Sequence, residues 1–318
     1  MPDELEHVYD LIVRRLLRGK VVPVLGAGVN LSERPPQVPW ERGRYLPSGQ
    51  ELADWLAQYI DNVVIDGSDL ARVSQYVAAL EGEGPLYDEL HEVFDADYPP
   101  TPLHRLLARL SRRIREAQAV RECMLIVTTN YDDSLERAFA DAGEPYELVT
   151  YIAEGKDRGL FRHITADGDL TVIRKPNEYV DVRLDQRTVI AKMHGAVDRV
   201  HGADSFVITE DHYIDYISRA DIGGLFPVTL AAKLRKSHFL FLGYSLRDWN
   251  LRVMLYRLWG EQEGKNFKSW AIQKDPDPID RAAWDERGVD ILSAGVADFV
   301  GGVEQRLLTQ HVEQRLPA

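Results

Sequence analysis

The sequence predicts an α/β protein, a Rossmann-like parallel sheet with helices on both faces. Predicted strands alternate with predicted helices along the chain, and most strands are continuous apolar runs such as Met124 to Val127. Such runs are typical of strands that a parallel sheet buries on both faces. Polar motifs follow several of the runs, at the carboxyl ends of strands, where ligands bind in such sheets. A ligand site is therefore expected at that edge.

The chain begins with a predicted helix and a predicted strand. Apolar residues at near-helical spacing predict a helix over 5–17, and the β-branched run at 21–26 predicts a buried strand that ends in a glycine turn. Several prolines make 30–48 an irregular loop.

A helical segment is predicted next. Ser48 and Glu51 form a capping box at the start of a helix, and Thr101-Pro102 is typical of another helix start. Because helical periodicity continues with gaps to about residue 118, we interpret 48–118 as a helical insertion.

The rest of the chain alternates strands and helices around one hydrophilic stretch. Residues 152–187 are charged and interrupted by glycine and proline, which predicts a variable insertion with a hairpin near 170–175. The other predicted elements are strands at 124–127, 146–150, 188–195, 238–245, 268–273 and 289–294, and helices at 134–143, from 210, around 249–260 and at the carboxyl terminus.

Composition predicts a cytoplasmic globular protein with one domain, residues 1–318. The chain has 51 acidic and 38 basic residues, a formal charge of −13, which argues against a protein that binds nucleic-acid phosphates. Its single cysteine, Cys123, excludes an intramolecular disulfide and a four-cysteine zinc site, and it fits a reducing compartment. No secretory signal and no membrane-spanning segment is expected.

A glycine motif, Gly26-Ala27-Gly28, follows the first predicted strand. Glycines there permit a tight turn and let backbone N–H groups approach a pyrophosphate. The motif lacks the third glycine of the dinucleotide fingerprint, and no acidic residue ends a second strand about 20 residues later. A plain turn at the end of the strand is the alternative interpretation.

Asn130 and Asp132 follow the second predicted strand. A carboxamide there can orient a water molecule or a ribose hydroxyl, and a carboxylate can stabilise a developing positive charge. The alternative is an Asx turn in which Asp132 or Asp133 caps the helix that follows.

Two further motifs end strands. His194 precedes Gly195 and can act as a general base toward a ribose hydroxyl or water, or it is a structural histidine. Gly243-Tyr244-Ser245 either adds a phosphate-contacting turn with Ser245 as donor or simply connects a strand to a helix. Three other histidines lack metal-ligand spacing and are expected at the surface, so no metal site is predicted: His163, His201 and His212.

Taken in order, these motifs resemble the sirtuin family, the NAD-consuming enzymes of the silent-information-regulator type. GAGVN at 26–30 is similar to the family's GAG-x-S loop, and TTNYD at 128–132 to its T-Q-N-x-D motif. MHG at 193–195 resembles the catalytic His-Gly, and GYSL at 243–246 the later G-T/E-S-L segment. AIQ at 271–273 falls where the family's ribose-contacting strand lies. The resemblance runs from about residue 20 to 300.

The chain departs from protein-deacylating sirtuins at several points. One cysteine cannot build their usual zinc module, and their Pro-Asp-Phe-Arg stretch is absent. Thr129 replaces a glutamine, and Tyr131 replaces a smaller apolar residue. GYSLRDWN at 243–250 and the long helical segment instead look like bacterial sirtuin-like domains of anti-phage defence systems, which hydrolyse NAD and deplete it in infected cells.

The resemblance implies an NAD hydrolase of abortive-infection defence, with NAD as its substrate and without a metal. It implies that Asn130 positions the attacking water and the ribose, that His194 acts as the base and that Asp132 orients the nicotinamide end. The residues that would contact the pyrophosphate are Gly26, Ala27, Gly28 and Ser245. The other NAD-binding residues that it implies are Asn30, Thr129, Gly243 and Gln273.

The resemblance also implies partners and leaves other functions open. It implies a homo-oligomer whose trigger is assembly or a separately encoded motor ATPase or Argonaute-like protein. The acidic charge and the lack of a long apolar run predict no direct nucleic-acid or membrane binding. Residues 251–259 are either a contact surface for such a partner or a core helix. The competing functions are a protein deacylase without zinc and a non-catalytic sensor of NAD or ADP-ribose.

Overall fold

The computed structural model describes residues 2–60, 69–117, 122–218, 226–244 and 267–313. The helices in these ranges are α1 (Pro2–Leu17), α2 (Gly49–Leu56), α3 (Leu70–Glu81), α4 (Glu83–Phe94), α5 (Pro102–Glu116), α6 (Ser134–Asp141), α7 (Glu210–Ser218), α8 (Val228–Arg235), α9 (Pro278–Asp285) and α10 (Val296–Glu313). The strands are β1 (Val21–Leu25), β2 (Leu125–Thr128), β3 (Tyr146–Tyr151), β4 (Phe161–Ile164), β5 (Leu170–Ile173), β6 (Thr188–Lys192), β7 (Gly195–Ala196), β8 (Ser205–Phe206), β9 (His238–Leu242), β10 (Ser269–Gln273) and β11 (Val289–Ser293).

Nine strands form one sheet in the order β11-β10-β9-β1-β2-β6-β3-β4-β5. All neighbours from β11 to β3 pair in parallel, as the apolar runs predict. β4 and β5 continue the sheet antiparallel at one edge. The hairpin near 170–175 is therefore confirmed, although the sequence did not indicate that it joins the main sheet. Nine residues link β3 to β4. A link of this length allows an antiparallel return but is too short for a parallel crossover.

Helices cover both faces of the sheet, which confirms the predicted architecture. Val22 and Val24 of β1 pack in the core that includes residues of α8, while Val21 and Leu25 pack in the core on the other face, with α1, α5 and α10. This alternation follows from the two-residue period of a strand. Because β1 is central and buried on both faces, the loop that follows it is held firmly in place.

A third core lies in the segment interpreted as an insertion. α2, α3 and α4 pack against one another and against Phe206 of β8. The capping box is present at the start of α2, where the Glu51 N–H donates to Ser48 Oγ (3.2 Å) and the Ser48 N–H donates to Glu51 Oε2 (2.8 Å). Both predicted helix starts, at Ser48 and at Thr101, are thus confirmed.

Two described helices, α8 and α9, were not predicted, and one predicted helix cannot be compared. α9 has a recognisable start, since Asp277 Oδ1 accepts from the Ile279 N–H (2.8 Å) and Pro278 occupies the first helical position. The helix predicted around 249–260 lies outside the described residues, as does the candidate contact surface at 251–259. Within the described part of the chain, no helix has the length and apolar character that crossing a membrane requires.

His104 should make the folded protein sensitive to acid. It is buried at the start of α5, where its Nδ1 accepts from the Thr101 N–H (3.2 Å), and burial lowers its pKa from 6.5 to about 4. Between these two pH values the unfolded chain binds a proton that the folded protein does not, so stability falls as the pH falls. We expect this group to remove about 2 kcal/mol of unfolding free energy between pH 7 and pH 5.

Chemical denaturation at both pH values measures this loss. His104→Gln keeps a hydrogen-bond acceptor at the same capping position but does not titrate, so its stability should change less. Equal losses in the two proteins would show that His104 is not the group responsible.

Candidate active site at the carboxyl edge of the sheet

The loops after β1 and β9 are in direct backbone contact. The Gly26 N–H donates to the Leu242 carbonyl (3.0 Å), and the Gly28 N–H donates to the Gly243 carbonyl (2.9 Å). A Cβ at Gly28 would lie 2.7 Å from the Gly243 oxygen, too close for any side chain. Only a single 3₁₀ turn, Ala27–Val29, follows β1 in place of the helix that opens a dinucleotide fingerprint. The glycines therefore serve close backbone packing, whatever they bind.

The Asn130 side chain is fixed against this glycine loop. Its Nδ2 donates to the Gly26 carbonyl (3.2 Å), and its backbone N–H donates to Thr128 Oγ1 (3.0 Å) at the end of β2. Thr128 Oγ1 in turn donates to the Leu25 carbonyl (3.1 Å) at the end of β1. The glycine motif after β1 and the Asn130 motif after β2 are thus in contact.

The Asp132 carboxylate both closes an Asx turn and contacts the glycine loop. Its Oδ1 accepts from the Ser134 N–H (3.0 Å), which is the Asx turn, and its Oδ2 accepts from Asn30 Nδ2 (2.7 Å) in the glycine loop. Of the two capping candidates, Asp133 occupies the N-cap position of α6, but its side chain makes no capping hydrogen bond. Its carboxylate pairs with Arg199 instead, with 3.0 Å between Arg199 Nε and Asp133 Oδ2.

The loops after β2 and β9 also meet. The hydroxyls of Thr129 and Tyr244 share a hydrogen bond of 2.9 Å. The Tyr244 ring covers the glycine loop, since a Cβ at Gly26 would lie 2.9 Å from its Cδ1. Tyr244 was not among the residues predicted, although it lies between two that were, Gly243 and Ser245.

Lys192 is a buried charge that was not predicted from the sequence. Its Nζ donates to the Asp132 carbonyl, lies 3.5 Å from the Tyr131 carbonyl and pairs with Glu136 Oε1 (2.8 Å). The available signal was a lysine at the end of an apolar strand, a position that burial makes costly unless the charge is paired. Lys192 therefore fixes the backbone carbonyl of Asp132 by a hydrogen bond.

His194 follows β6 and is buried, with 6% of its surface exposed. The Met193 N–H donates to the Thr128 carbonyl (2.8 Å), so the ends of β6 and β2 are joined. The imidazole lies edge to face with the rings of Tyr213 and Tyr216 on α7, with centroids 5.4 Å and 5.5 Å away. His194 is therefore at the carboxyl edge of the sheet, held from one side by two aromatic rings.

Gly195 cannot be replaced without a change in backbone. Its φ is +84°, and a Cβ there would lie 2.0 Å from the Ser205 carbonyl oxygen. Ser205 is itself fixed, because its hydroxyl donates to the Tyr151 carbonyl (2.8 Å). The His-Gly pair thus combines a candidate base with a glycine that the close antiparallel pairing of β7 and β8 requires.

One predicted residue lies farther from these side chains, and another lies outside the described residues. Gln273 ends β10, two strands away from β1 at the same edge of the sheet. Ser245 lies outside the described residues. Gly243, the remaining predicted residue of that loop, ends β9 and contacts the glycine loop directly.

The site has unused polar atoms that fit a dinucleotide. Asn30 Oδ1 and Gln273 Oε1 are buried oxygens that make no hydrogen bond in the structure. Such atoms are costly unless a ligand or water pairs with them. Hydroxyl and amide donors of a nucleotide suit both oxygens, and the glycine loop permits close approach to a phosphate.

The arrangement can support cleavage at a sugar carbon. A carboxamide, a carboxylate and an imidazole follow neighbouring strands β2 and β6, and the first two are fixed by hydrogen bonds to the glycine loop. Loss of a leaving group from a ribose carbon gives oxocarbenium-like charge, which fixed dipoles and a carboxylate stabilise.

A family model described as a SIR2-like domain matches residues 124–292 of this chain. The chain belongs to the SIR2-like family. The matched stretch contains Asn130, Asp132, His194 and Gly243, and the glycine loop precedes it.

Curated relatives share this SIR2-like region at low identity. The chain is 22% identical over 285 residues to defense-associated sirtuin 2 of Bacillus subtilis, covering 87% of this chain and 23% of that protein. It is 27% identical over 256 residues to the NAD(+) hydrolase ThsA of Acinetobacter baumannii, covering 80% of this chain and 42% of that protein. It is 29% identical over 190 residues to the ThsA of Enterococcus faecium, covering 59% of this chain and 31% of that protein. The chain therefore spans less than half the length of these relatives.

The prediction that three histidines are surface residues is wrong for two of them. His163 is buried on β4, where its Nε2 lies 3.1 Å from Glu147 Oε2, and His212 is buried on α7. Ligand atoms of His212, Glu83 and Glu154 lie within 4.8 Å of one another. However, His212 Nδ1 faces the N–H groups that precede α7, which leaves the ring proton on Nε2, toward Glu154 (3.4 Å). In this tautomer Nε2 carries a proton, so it has no free lone pair for a metal ion.

Proposed function

We propose that this chain hydrolyses NAD to nicotinamide and ADP-ribose in anti-phage defence. The observation that carries the proposal is the pair of hydrogen bonds that fix Asn130 and Asp132 to the glycine loop. These bonds place the candidate catalytic groups against the loop that would hold the NAD phosphates. Relatives named NAD(+) hydrolase and defense-associated sirtuin support the same activity.

The proposed reaction breaks the bond between the nicotinamide nitrogen and ribose C1′. The bonding electrons go to the pyridinium nitrogen, so nicotinamide leaves as a neutral molecule and positive charge develops on the ribose. Asp132 faces that charge, Asn130 holds the attacking water and the ribose, and His194 takes the proton that the water loses as its oxygen bonds to C1′. The other predicted residues bind the dinucleotide: Gly26, Ala27, Gly28, Asn30, Thr129, Gly243, Ser245 and Gln273.

The proposal includes how the activity is controlled. Uncontrolled loss of NAD is toxic, so we propose that a trigger releases the activity, through homo-oligomer assembly or through a separately encoded motor ATPase or Argonaute-like protein. We further propose that residues 1–318 act as one domain in the cytoplasm, with NAD as a substrate and no metal.

Mass-spectrometric analysis of the products formed from NAD tests this proposal. The wild-type protein should release nicotinamide and ADP-ribose without any peptide, and His194→Ala should not. Dependence on an acetyl-lysine peptide, with O-acetyl-ADP-ribose as product, would identify a deacylase instead. NAD binding without turnover, unchanged in His194→Ala, would identify a sensor.

A further inference from the structure

A cavity lies outside the candidate active site. It encloses about 410 Å³ between β3, β4, the start of α6 and the loop 196–201. Of the residues predicted to bind NAD or to act on it, none that the structure describes lines the cavity. Its volume lies within the range of small-molecule sites.

Four residues that line the cavity each carry a buried polar atom that makes neither a hydrogen bond nor an ion pair in the structure. These atoms are Asp133 Oδ1, Glu136 Oε2, Thr150 Oγ1 and Arg162 Nε. Buried polar atoms are costly when unpaired, so their grouping around one cavity favours a ligand that pairs with them. Three of them are oxygens and one is an N–H donor, which matches a molecule rich in N–H groups that also has an acceptor.

The charges of the wall limit the ligand further. Four acidic and two basic side chains line the cavity: Asp133, Glu136, Glu144, Asp198, Arg162 and Arg199. Both arginines already pair with carboxylates of the wall, Arg162 with Asp198 (3.4 Å) and Arg199 with Asp133 (3.0 Å). Glu136 and Glu144 pair with cations outside the wall, Lys192 (2.8 Å) and Arg115 (2.9 Å). Because both arginines of the described wall are already paired, the wall offers a phosphate no free guanidinium.

Most of the remaining wall is apolar. Its larger apolar residues are Pro145, Tyr146, Leu148, Ile164 and Val197, and it also includes the polar residues Thr165 and His201. Apolar walls with a few convergent polar groups are typical of sites for flat organic ligands. The ring of a heterocycle would pack on the wall while its N–H groups reach the carboxylates.

We propose that this cavity is a second ligand site that takes an uncharged heterocycle with N–H groups, of the size of a nucleoside. The amino and ring N–H groups donate to the carboxylate and threonine oxygens, and a ring nitrogen or carbonyl accepts from Arg162 Nε. A 5′-phosphate is disfavoured because both arginines of the described wall are already paired.

The cavity is connected to the candidate active site through two short routes. Asp133 follows Asp132 directly in the chain. Glu136 pairs with Lys192, whose Nζ donates to the Asp132 carbonyl. A ligand that contacts Asp133 and Glu136 therefore contacts the chain neighbour of Asp132 and the partner of the lysine that binds the Asp132 carbonyl. An effect of this ligand on NAD turnover rests on the proposed function, whereas binding does not.

Isothermal titration with adenosine, guanosine and cytidine tests the site in the absence of NAD. At least one nucleoside should bind, and its 5′-monophosphate should bind more weakly. Thr150→Val removes an unpaired hydroxyl while keeping the side-chain shape, so the protein should remain folded and bind the nucleoside roughly fivefold more weakly.

Thr188→Val is the matched control. Thr188 lies on the neighbouring strand β6, is equally buried and also has a hydroxyl without a partner, but it does not line the cavity. Its binding should equal that of the wild type. Asn130→Ala separates this site from the candidate NAD site, because binding in the cavity should survive that change. If no nucleoside binds, or if Thr150→Val binds as the wild type does, the proposal is wrong, whatever the outcome with NAD.

Discussion

Replacing Asn130 with alanine is expected to slow nicotinamide release from NAD by about a hundredfold or more, the usual effect of removing one fixed polar group that stabilises a transition state. The carboxamide is held by the Gly26 carbonyl, so its position does not depend on the substrate. Its loss also leaves that carbonyl with one donor fewer. Release of nicotinamide, measured by liquid chromatography at saturating NAD, gives the rate.

Asn177→Ala is the matched control for this change. Asn177 is exposed in the turn Pro176–Glu178, away from the strand ends. This variant should turn over NAD at the wild-type rate, and both proteins should unfold at similar denaturant concentrations. Wild-type turnover in Asn130→Ala would remove Asn130 from the mechanism, even if the chain does hydrolyse NAD.

Gly243→Ala is expected to give a large loss of stability, about 3–5 kcal/mol. Gly243 has φ of +69°, and a Cβ there would lie 2.3 Å from the Val29 backbone nitrogen. Because the obstacle is backbone rather than a flexible side chain, one of the two loops must move. The glycine loop would then lose its contact with β9, so NAD turnover should fall together with stability.

Gly155→Ala separates the cost of a left-handed backbone from the cost of the backbone clash. Gly155 has nearly the same φ, +74°, but nothing lies within 4 Å of the position of its Cβ. This variant should lose only the cost of a left-handed backbone, about 1–2 kcal/mol. Urea denaturation of both variants measures the difference. Equal losses would mean that the contact of the two loops adds nothing to stability.

The order of strands and helices could be predicted because apolar runs and capping signals are local. The box of Ser48 and Glu51 and the parallel direction of strands such as β1 and β2 follow directly from the sequence pattern, whereas the order of the strands in the sheet does not. The antiparallel edge formed by β4 and β5 could not be predicted, since nothing local specifies which sheet a hairpin joins. α9 could have been predicted from Asp277 and Pro278.

The residues of the candidate site could be predicted, but their contacts could not. Asn30 and Asp132 are 102 positions apart in the chain, and only the pairing of β1 with β2 brings them together. The burial of Lys192, His163 and His212 also depends on tertiary neighbours. Sequence motifs identify which side chains are at strand ends, whereas the hydrogen bonds between loops follow from the order of strands in the sheet.

The position of β1 between β2 and β9 also determines when the site can form during translation. Leu25 pairs with Leu242, 217 positions later, and Gly243 then completes the contact with the glycine loop. At 5–20 residues per second, roughly 10–40 s separate the synthesis of these two strands. A nascent chain therefore has no complete glycine loop until about three quarters of this sequence has been made. Under the proposed function, the ribosome itself delays the onset of NAD consumption in every newly made molecule.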